Sequence, residues 1–155
     1  MAVAIETPLQ SNAILQSDKA AIIGMGYVGF PLACAAIKGG VQVVGYDIDD
    51  AKIHSLNEGR SYLGPRAQDE FVELAHSSLF SATSSVEKLS QCKILVLCVP
   101  TPLKNDGTPD LTYVMDSTRL VASILSKGML VILESTTWPG TTREVMMPIL
   151  EETGL

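Results

Sequence analysis

The chain has 155 residues, of which 46% are hydrophobic and 18% are charged, a balance typical of one globular domain with a sizeable core. Its formal net charge of −6 comes without a basic cluster, which argues against nucleic acid and anionic membranes as partners. The longest apolar runs are much shorter than the ~20 residues of a membrane span, and residues 1–18 lack the positive start of a signal peptide, so we expect a cytoplasmic protein.

A short apolar strand at residues 20–23 runs directly into three glycines with the spacing G-x-G-x-x-G: Gly24, Gly26 and Gly29. In a dinucleotide-binding turn the first glycine permits a tight turn, the second lets a pyrophosphate approach the main chain, and the third lets the next helix pack closely. The first amides of that helix, around Tyr27 and Val28, lack intrahelical acceptors and suit a phosphate. The alternative is a purely structural turn, because glycine-rich turns are common.

A second buried strand at residues 41–46 leads to Asp47, which follows the last glycine of the turn at the usual distance for a ribose ligand. A carboxylate at this place can accept hydrogen bonds from both hydroxyls of an adenine ribose. We therefore predict an NAD site that discriminates against NADP, because a 2′-phosphate would lie beside Asp47 with a charge of the same sign. Asp49 is predicted to cap the next helix, which ends near Gly59.

The rest of the chain is predicted to alternate in the same way. The segments are a helix at 68–76, a strand at 79–83, a short helix at 86–89, a strand at 93–99, a helix from 110 to about 125, a strand at 129–133 and a last helix after 140. Asp110 is a predicted helix cap, and Thr141 with Glu144 is a predicted capping box. Pro148 is predicted to kink the last helix.

Strands that alternate with helices predict an α/β fold, a doubly wound parallel sheet of the Rossmann type with right-handed crossovers. In the strand order 3-2-1-4-5-6, a ligand lies at the carboxyl ends of the first and fourth strands. Four segments follow strand ends on that side: 24–29, Asp47, 99–102 and 135–136. The sequence contains five of the six strands and ends where the sixth would begin, so we expect residues 129–133 to form an exposed apolar edge that favours self-association.

The three cysteines, Cys34, Cys92 and Cys98, have neither a C-x-x-C nor a zinc-type spacing. Cys34 falls in the first helix and Cys98 in an apolar strand. We therefore expect buried, reduced thiols and no metal site.

Five motifs of the chain occur together in a fixed order: residues 23–33 (IGMGYVGFPLA), 46–49 (YDID), 98–103 (CVPTPL), 109–114 (PDLTYV) and 134–142 (ESTTWPGTT). In this combination the chain resembles the nucleotide-sugar 6-dehydrogenases, which include UDP-glucose, UDP-N-acetylhexosamine and GDP-mannose dehydrogenases. The wording of the third and fifth motifs is more similar to the UDP-N-acetylglucosamine and UDP-N-acetylmannosamine enzymes. The resemblance covers residues 20–155, which we expect to form the NAD-binding domain, with residues 1–19 as an irregular or short helical extension.

The resemblance implies NAD-dependent oxidation of the C6 alcohol of a UDP-sugar to a carboxylate in two steps, by a homo-oligomeric enzyme of polysaccharide biosynthesis. It also implies roles for site residues, as follows: Gly24, Met25, Gly26, Tyr27, Val28 and Gly29 at the pyrophosphate, Asp47 and Lys52 at the adenosine ribose, Val99, Pro100, Thr101 and Pro102 along the dinucleotide, and Ser135 and Thr136 near the nicotinamide, with Thr136 also assisting at the reacting centre. The alternatives are a solvated helix lysine for Lys52 and a plain turn for residues 135–136.

The resemblance also predicts what these residues do not do. In the family, the nucleophilic cysteine and the sugar pocket lie in a central helix and a second domain, and none of the three cysteines here matches that motif. We therefore expect the chain to bind NAD without oxidising a nucleotide sugar. Two other functions stay open from the sequence: a 6-phosphogluconate or 3-hydroxyacid dehydrogenase, and a stand-alone module that senses NAD(H).

Overall fold

A computed structural model describes residues 18–155 of the chain. Within this range the strands are β1 (Ala20–Ile23), β2 (Val43–Tyr46), β3 (Phe80–Thr83), β4 (Ile94–Leu97) and β5 (Leu130–Leu133). The α-helices are α1 (Gly29–Lys38), α2 (Asp50–Asn57), α3 (Gln68–His76), α4 (Thr112–Ala122) and α5 (Met147–Glu151). Short 3₁₀ turns cover Pro65–Ala67 and Val86–Gln91, and a π-helical turn covers Thr142–Met146. The extension predicted for residues 1–19 lies outside the described residues, except for its last two positions.

The five strands form one parallel sheet in the order β3-β2-β1-β4-β5, which confirms the predicted doubly wound topology. The last residues of the strands are in register: Ile23 lies opposite both Tyr46 and Leu97. At the two edges of the sheet, Thr83 lies opposite Tyr46 and Leu133 lies opposite Leu97. All the loops at the carboxyl ends of the strands therefore begin at one level of the sheet.

The central strand β1 is buried on both faces of the sheet. Ala21 and Ile23 belong to a cluster with residues of α4, whereas Ile22 belongs to a second cluster with residues of α1, α2 and α3. This arrangement explains why the central strands are apolar at every position instead of alternating, since a parallel sheet is covered by helices on both faces.

Two of the three predicted helix caps need correction. Asp49 caps α2 as predicted and accepts a hydrogen bond from the Ala51 amide at 2.9 Å. At α4 the capping position is Leu111, one residue later than predicted, although the Asp110 carboxylate still accepts from the Thr112 amide at 2.9 Å.

The predicted capping box of the last helix is wrong. Thr141 already has helical backbone angles, with φ −50° and ψ −42°, and its hydroxyl donates to the Trp138 carbonyl at 2.9 Å. The helix then begins with the π-helical turn, and Pro148 follows in α5. Proline has no N–H to donate and its ring crowds the carbonyl four residues earlier, so the irregular geometry expected from Pro148 lies in the preceding turn.

Candidate functional site

The three glycines after β1 meet different surroundings, and only one of them faces open space. Gly24 has a φ of +95°, and a Cβ there would lie 2.6 Å from the Cys98 carbonyl oxygen. A Cβ on Gly29 would lie 2.0 Å from the Gly24 carbonyl oxygen. An added Cβ on Gly26 would meet no atom within 4 Å. The first and third glycines are therefore required by packing, whereas Gly26 leaves its outer face free for a ligand.

The start of α1 presents a group of free donors beside that open face. Among residues 18–155, the amides of residues 26–29 have no hydrogen-bond acceptor, and no acidic side chain lies in the first turn. Tyr27 and Val28 are 80% and 53% exposed. Unpaired amides and the positive end of the helix dipole favour an anion at this place.

Asp47, directly after β2, is buried and is held by three donors. Its Oδ2 accepts from the Met25 amide at 3.0 Å and from the Lys52 ammonium at 3.1 Å, while Oδ1 accepts from the Asp49 amide at 3.1 Å. A carboxylate offers about four lone-pair directions, so one direction stays available for a further hydroxyl. The structure thus brings together Asp47 and Lys52, which the sequence could only place one helical turn apart.

Met25 lies beneath the turn rather than at its open face. Its side chain is fully buried beside Gly45, where an added Cβ would lie 2.9 Å from the Met25 sulfur. Its N–H is used by Asp47, and its carbonyl accepts a hydrogen bond from the hydroxyl of Tyr62. Met25 therefore supports the turn, and its own amide is not free.

Tyr62 was not predicted from the sequence as a site residue. It lies in the loop between α2 and α3, and its ring packs edge-on against Phe71 with a centroid distance of 4.9 Å. Phe71 in turn stacks on Phe30 of α1 at 4.0 Å. The signal in the sequence was a single aromatic residue in this loop, which does not reveal a contact with Met25, 37 positions earlier in the chain.

The segments after β4 and β5 lie side by side at the same edge of the sheet. The Ser135 hydroxyl donates to the Val99 carbonyl at 2.7 Å, and the Glu134 amide donates to the Leu97 carbonyl at 2.9 Å. Val99 and Thr101 are partly buried, whereas the remaining predicted residues, Pro100, Pro102 and Thr136, are exposed. All four segments predicted to converge therefore follow the carboxyl ends of β1, β2, β4 and β5.

The three cysteines are buried and unpaired, as predicted. Burial raises the pKa of Cys34, Cys92 and Cys98 from 9.0 to about 11. Each therefore holds its proton at neutral pH, which is unsuitable for a nucleophilic or metal-binding thiolate. Across residues 18–155, no cluster of His, Cys, Asp and Glu could hold a metal ion. None of the helices in this range is both long enough and apolar enough to cross a bilayer.

The family model for the NAD binding domain of the UDP-glucose/GDP-mannose dehydrogenase family matches residues 18–154. The chain belongs to this family. As a member of it, the chain is an NAD-binding domain.

Individual relatives agree with this membership. The chain is 37% identical over 134 residues to UDP-N-acetyl-D-glucosamine 6-dehydrogenase of Pseudomonas aeruginosa, covering 86% of the chain and 31% of that enzyme. It is similar to the structure of UDP-D-ManNAc dehydrogenase from Pyrococcus horikoshii, with a TM-score of 0.78 and 38% identity over 88% of this chain and 33% of that one. The structure of a ternary complex of GDP-mannose dehydrogenase from Pseudomonas aeruginosa is similar with a TM-score of 0.81 and 27% identity, covering 87% of this chain and 32% of that one. The chain thus spans about a third of the length of these relatives.

Proposed function

We propose that this chain is the NAD-binding part of a UDP-sugar 6-dehydrogenase. The whole enzyme would oxidise the C6 alcohol of UDP-N-acetylglucosamine or UDP-N-acetylmannosamine to a carboxylate in two NAD-dependent steps. The main support for NAD binding is the open face of Gly26 beside the unpaired amides of residues 26–29. The names of the relatives support the substrate class, and the family match favours this reading over a 6-phosphogluconate dehydrogenase, a 3-hydroxyacid dehydrogenase or a sensing module.

In this proposal the turn holds the pyrophosphate and Asp47 holds the adenosine ribose. The amides of Gly26, Tyr27 and Val28 donate to phosphate oxygens, and Gly24 and Gly29 permit the shape of the turn. Asp47 accepts from a ribose hydroxyl with its remaining lone pair. Lys52, 3.1 Å from Asp47, keeps that carboxylate in place.

The other end of the cofactor lies along the paired segments after β4 and β5. Residues 99–102 line its path, and Ser135 fixes their position through the hydrogen bond to the Val99 carbonyl. Thr136 lies next to the nicotinamide and assists at the reacting centre. When bound, NAD accepts a hydride from the carbon being oxidised. The protonated, buried state of all three cysteines supports a nucleophile that lies outside residues 18–155.

We infer that residues 20–155 form the cofactor domain of a homo-oligomeric enzyme that serves polysaccharide biosynthesis. Three unpaired thiols support a reducing compartment, which favours the cytoplasm.

The test is a calorimetric titration of NAD into the chain and into the variant Gly26→Ala. Because an added Cβ meets no atom within 4 Å, the variant should melt at the same temperature as the unchanged chain. We expect its NAD affinity to fall at least about 10-fold, since the methyl group fills the path of the pyrophosphate and costs more than roughly 1.4 kcal/mol of binding. Gly39→Ala, at the opposite end of α1, is the matched control and should bind normally. Equal NAD affinity of the Gly26→Ala variant and the unchanged chain would refute this site.

A further inference from the structure

We propose that Tyr62 is a positioning residue for the cofactor: its hydroxyl fixes the peptide between Met25 and Gly26 so that the Gly26 N–H faces the pyrophosphate. The inference rests on the proposed function, because it concerns the same site. It adds a residue outside the glycine motif whose contribution is to orient a backbone donor.

The geometry of the peptide group carries the argument. The Met25 carbonyl, which belongs to the Met25–Gly26 peptide, accepts from the Tyr62 hydroxyl. The preceding peptide is held as well, because the Met25 N–H donates to Asp47 at 3.0 Å. In a trans peptide the carbonyl and the following N–H point in opposite directions. A carbonyl held towards Tyr62 therefore directs the Gly26 N–H away from Tyr62. That N–H has no acceptor among residues 18–155.

Tyr62 is suited to this role because it is itself held rigidly. Its ring packs edge-on against Phe71, which is fully buried and stacked on Phe30 of α1. Burial raises the pKa of Tyr62, and the charges of Asp47 and Asp49 raise it further. The hydroxyl therefore stays protonated and remains a donor throughout the neutral range.

The effect on binding follows from preorganisation. Glycine has many accessible backbone conformations. An unanchored peptide between Met25 and Gly26 would therefore lose entropy when a phosphate orders it. A hydrogen bond that holds the peptide before binding lowers this cost. The contribution concerns the pyrophosphate, and binding of the adenosine moiety at Asp47 should be insensitive to it.

The experiment uses Tyr62→Phe, which keeps the ring on Phe71 and removes only the hydroxyl. NAD and ADP are titrated by calorimetry, adenosine is titrated in parallel, and the Gly26 amide resonance of the free protein is followed by NMR. We expect NAD and ADP to bind about 3- to 10-fold more weakly, as for the loss of one hydrogen bond, with adenosine unchanged and the Gly26 resonance shifted. Tyr113→Phe, which removes the hydroxyl of a 47% exposed tyrosine in α4, serves as the matched control.

Each outcome decides the inference. An unshifted Gly26 resonance, or unchanged NAD affinity in Tyr62→Phe, overturns the role of Tyr62 while leaving the proposed function intact. An equal loss for NAD and adenosine also overturns it, because that pattern indicates a general structural role. Failure of the unchanged chain to bind NAD overturns the proposed function itself, and the Gly26 resonance then still reports whether Tyr62 orients the amide.

Discussion

At the scale of single residues, Asp47 links the fold to the choice of cofactor. The residue is only 6% exposed, and its carboxylate is held by two amides and one ammonium. A buried charge is tolerated only when it is paired and hydrogen-bonded. A 2′-phosphate beside it would add a second negative charge, and Lys52 is already paired with Asp47.

We therefore expect the chain to prefer NAD over NADP by on the order of a few kcal/mol, the cost of adjacent like charges. Parallel calorimetric titrations with the two cofactors measure this difference. Lys52→Met, compared with Lys38→Met at the far end of α1, shows how much of the preference depends on the Asp47–Lys52 pair. Equal affinities for NAD and NADP would be incompatible with the assignment of Asp47 to the ribose.

The candidate site was predictable from the sequence to the extent that its residues lie within short motifs. Gly24, Gly29 and Asp47 follow strand ends at fixed spacing, so their positions follow from the chain order. Tyr62 was not predictable, because its contact with Met25 depends on how the loop after α2 folds back over the turn. The pairing of Asp47 with Lys52 was likewise a matter of side-chain geometry rather than spacing.

The thiols predict a loss of stability in alkaline solution. Burial raises the pKa of Cys34, Cys92 and Cys98 from 9.0 to about 11, so the unfolded chain loses these protons at lower pH than the folded chain does. The free energy of unfolding should be fully maintained below about pH 9 and should fall as the pH rises towards 11. Tyr46 and Tyr62, whose pKa values are also raised by burial, act in the same direction.

Urea denaturation at several pH values between 7 and 11 measures this change. A variant with all three cysteines replaced by alanine should be less stable at neutral pH, because the contacts of three buried sulfur atoms are lost. Its stability should nevertheless fall less steeply with pH. The same slope for both proteins would contradict the contribution of the thiols.

At the scale of secondary-structure elements, the two edges of the sheet differ in polarity. The β3 edge contains Ser81 and Thr83, whereas β5 consists only of Leu130, Val131, Ile132 and Leu133. Leu130 is 54% exposed, and among residues 18–155 β5 pairs only with β4. The exposed apolar edge predicted from the sequence is thus present, and such an edge can pair with another chain.

We expect the chain to self-associate through β5 at high concentration. Light scattering over a range of concentrations measures the association, and Leu130→Lys should reduce it, because a charged lysine opposes pairing at a sheet edge. Ser81→Lys on the opposite edge is the matched control. A clean monomer at high concentration, or an equal effect of both substitutions, would rule out association through β5.

The order and type of the elements were largely predictable, and so were the bounds of α3, whereas most other ends were not. β1 has the predicted bounds, whereas β2 to β5 were predicted longer than they are because apolar character continues past their ends. For example, the Cys98 amide still bonds to the Ile23 carbonyl after β4 has ended. The capping box failed because Thr141 already has a helical backbone, which the residue types at 141 and 144 do not indicate.

At the scale of the whole molecule, residues 18–155 form an NAD-binding domain whose three cysteines keep their protons at neutral pH. We expect the purified chain to bind NAD but to give no NADH when it is incubated with UDP-N-acetylglucosamine, UDP-N-acetylmannosamine or UDP-glucose. Loss of a covalent nucleophile typically costs many orders of magnitude in rate, because the reaction no longer proceeds through two easier steps. A chain extended to the length of the relatives should turn over.

The absorbance of NADH over time measures turnover by the 155-residue chain and by the extended chain. In the extended chain, Thr136→Ala should slow turnover and leave NAD affinity nearly unchanged, whereas Thr137→Ala is the neighbouring control. Steady turnover by the 155-residue chain that survived replacement of Thr136 and of all three cysteines would show that catalysis does not need a further part of the enzyme.

The contact between Met25 and Gly45 has a consequence for how the sequence can vary. An added Cβ at Gly45 would lie 2.9 Å from the Met25 sulfur and 3.1 Å from the ring of Phe80, so the turn and the strand share one small volume. Gly45→Ala alone should destabilise the domain, and Met25→Val should restore part of the loss by vacating the space of the thioether. Positions 25 and 45 are therefore expected to covary in size among related chains, although twenty positions separate them.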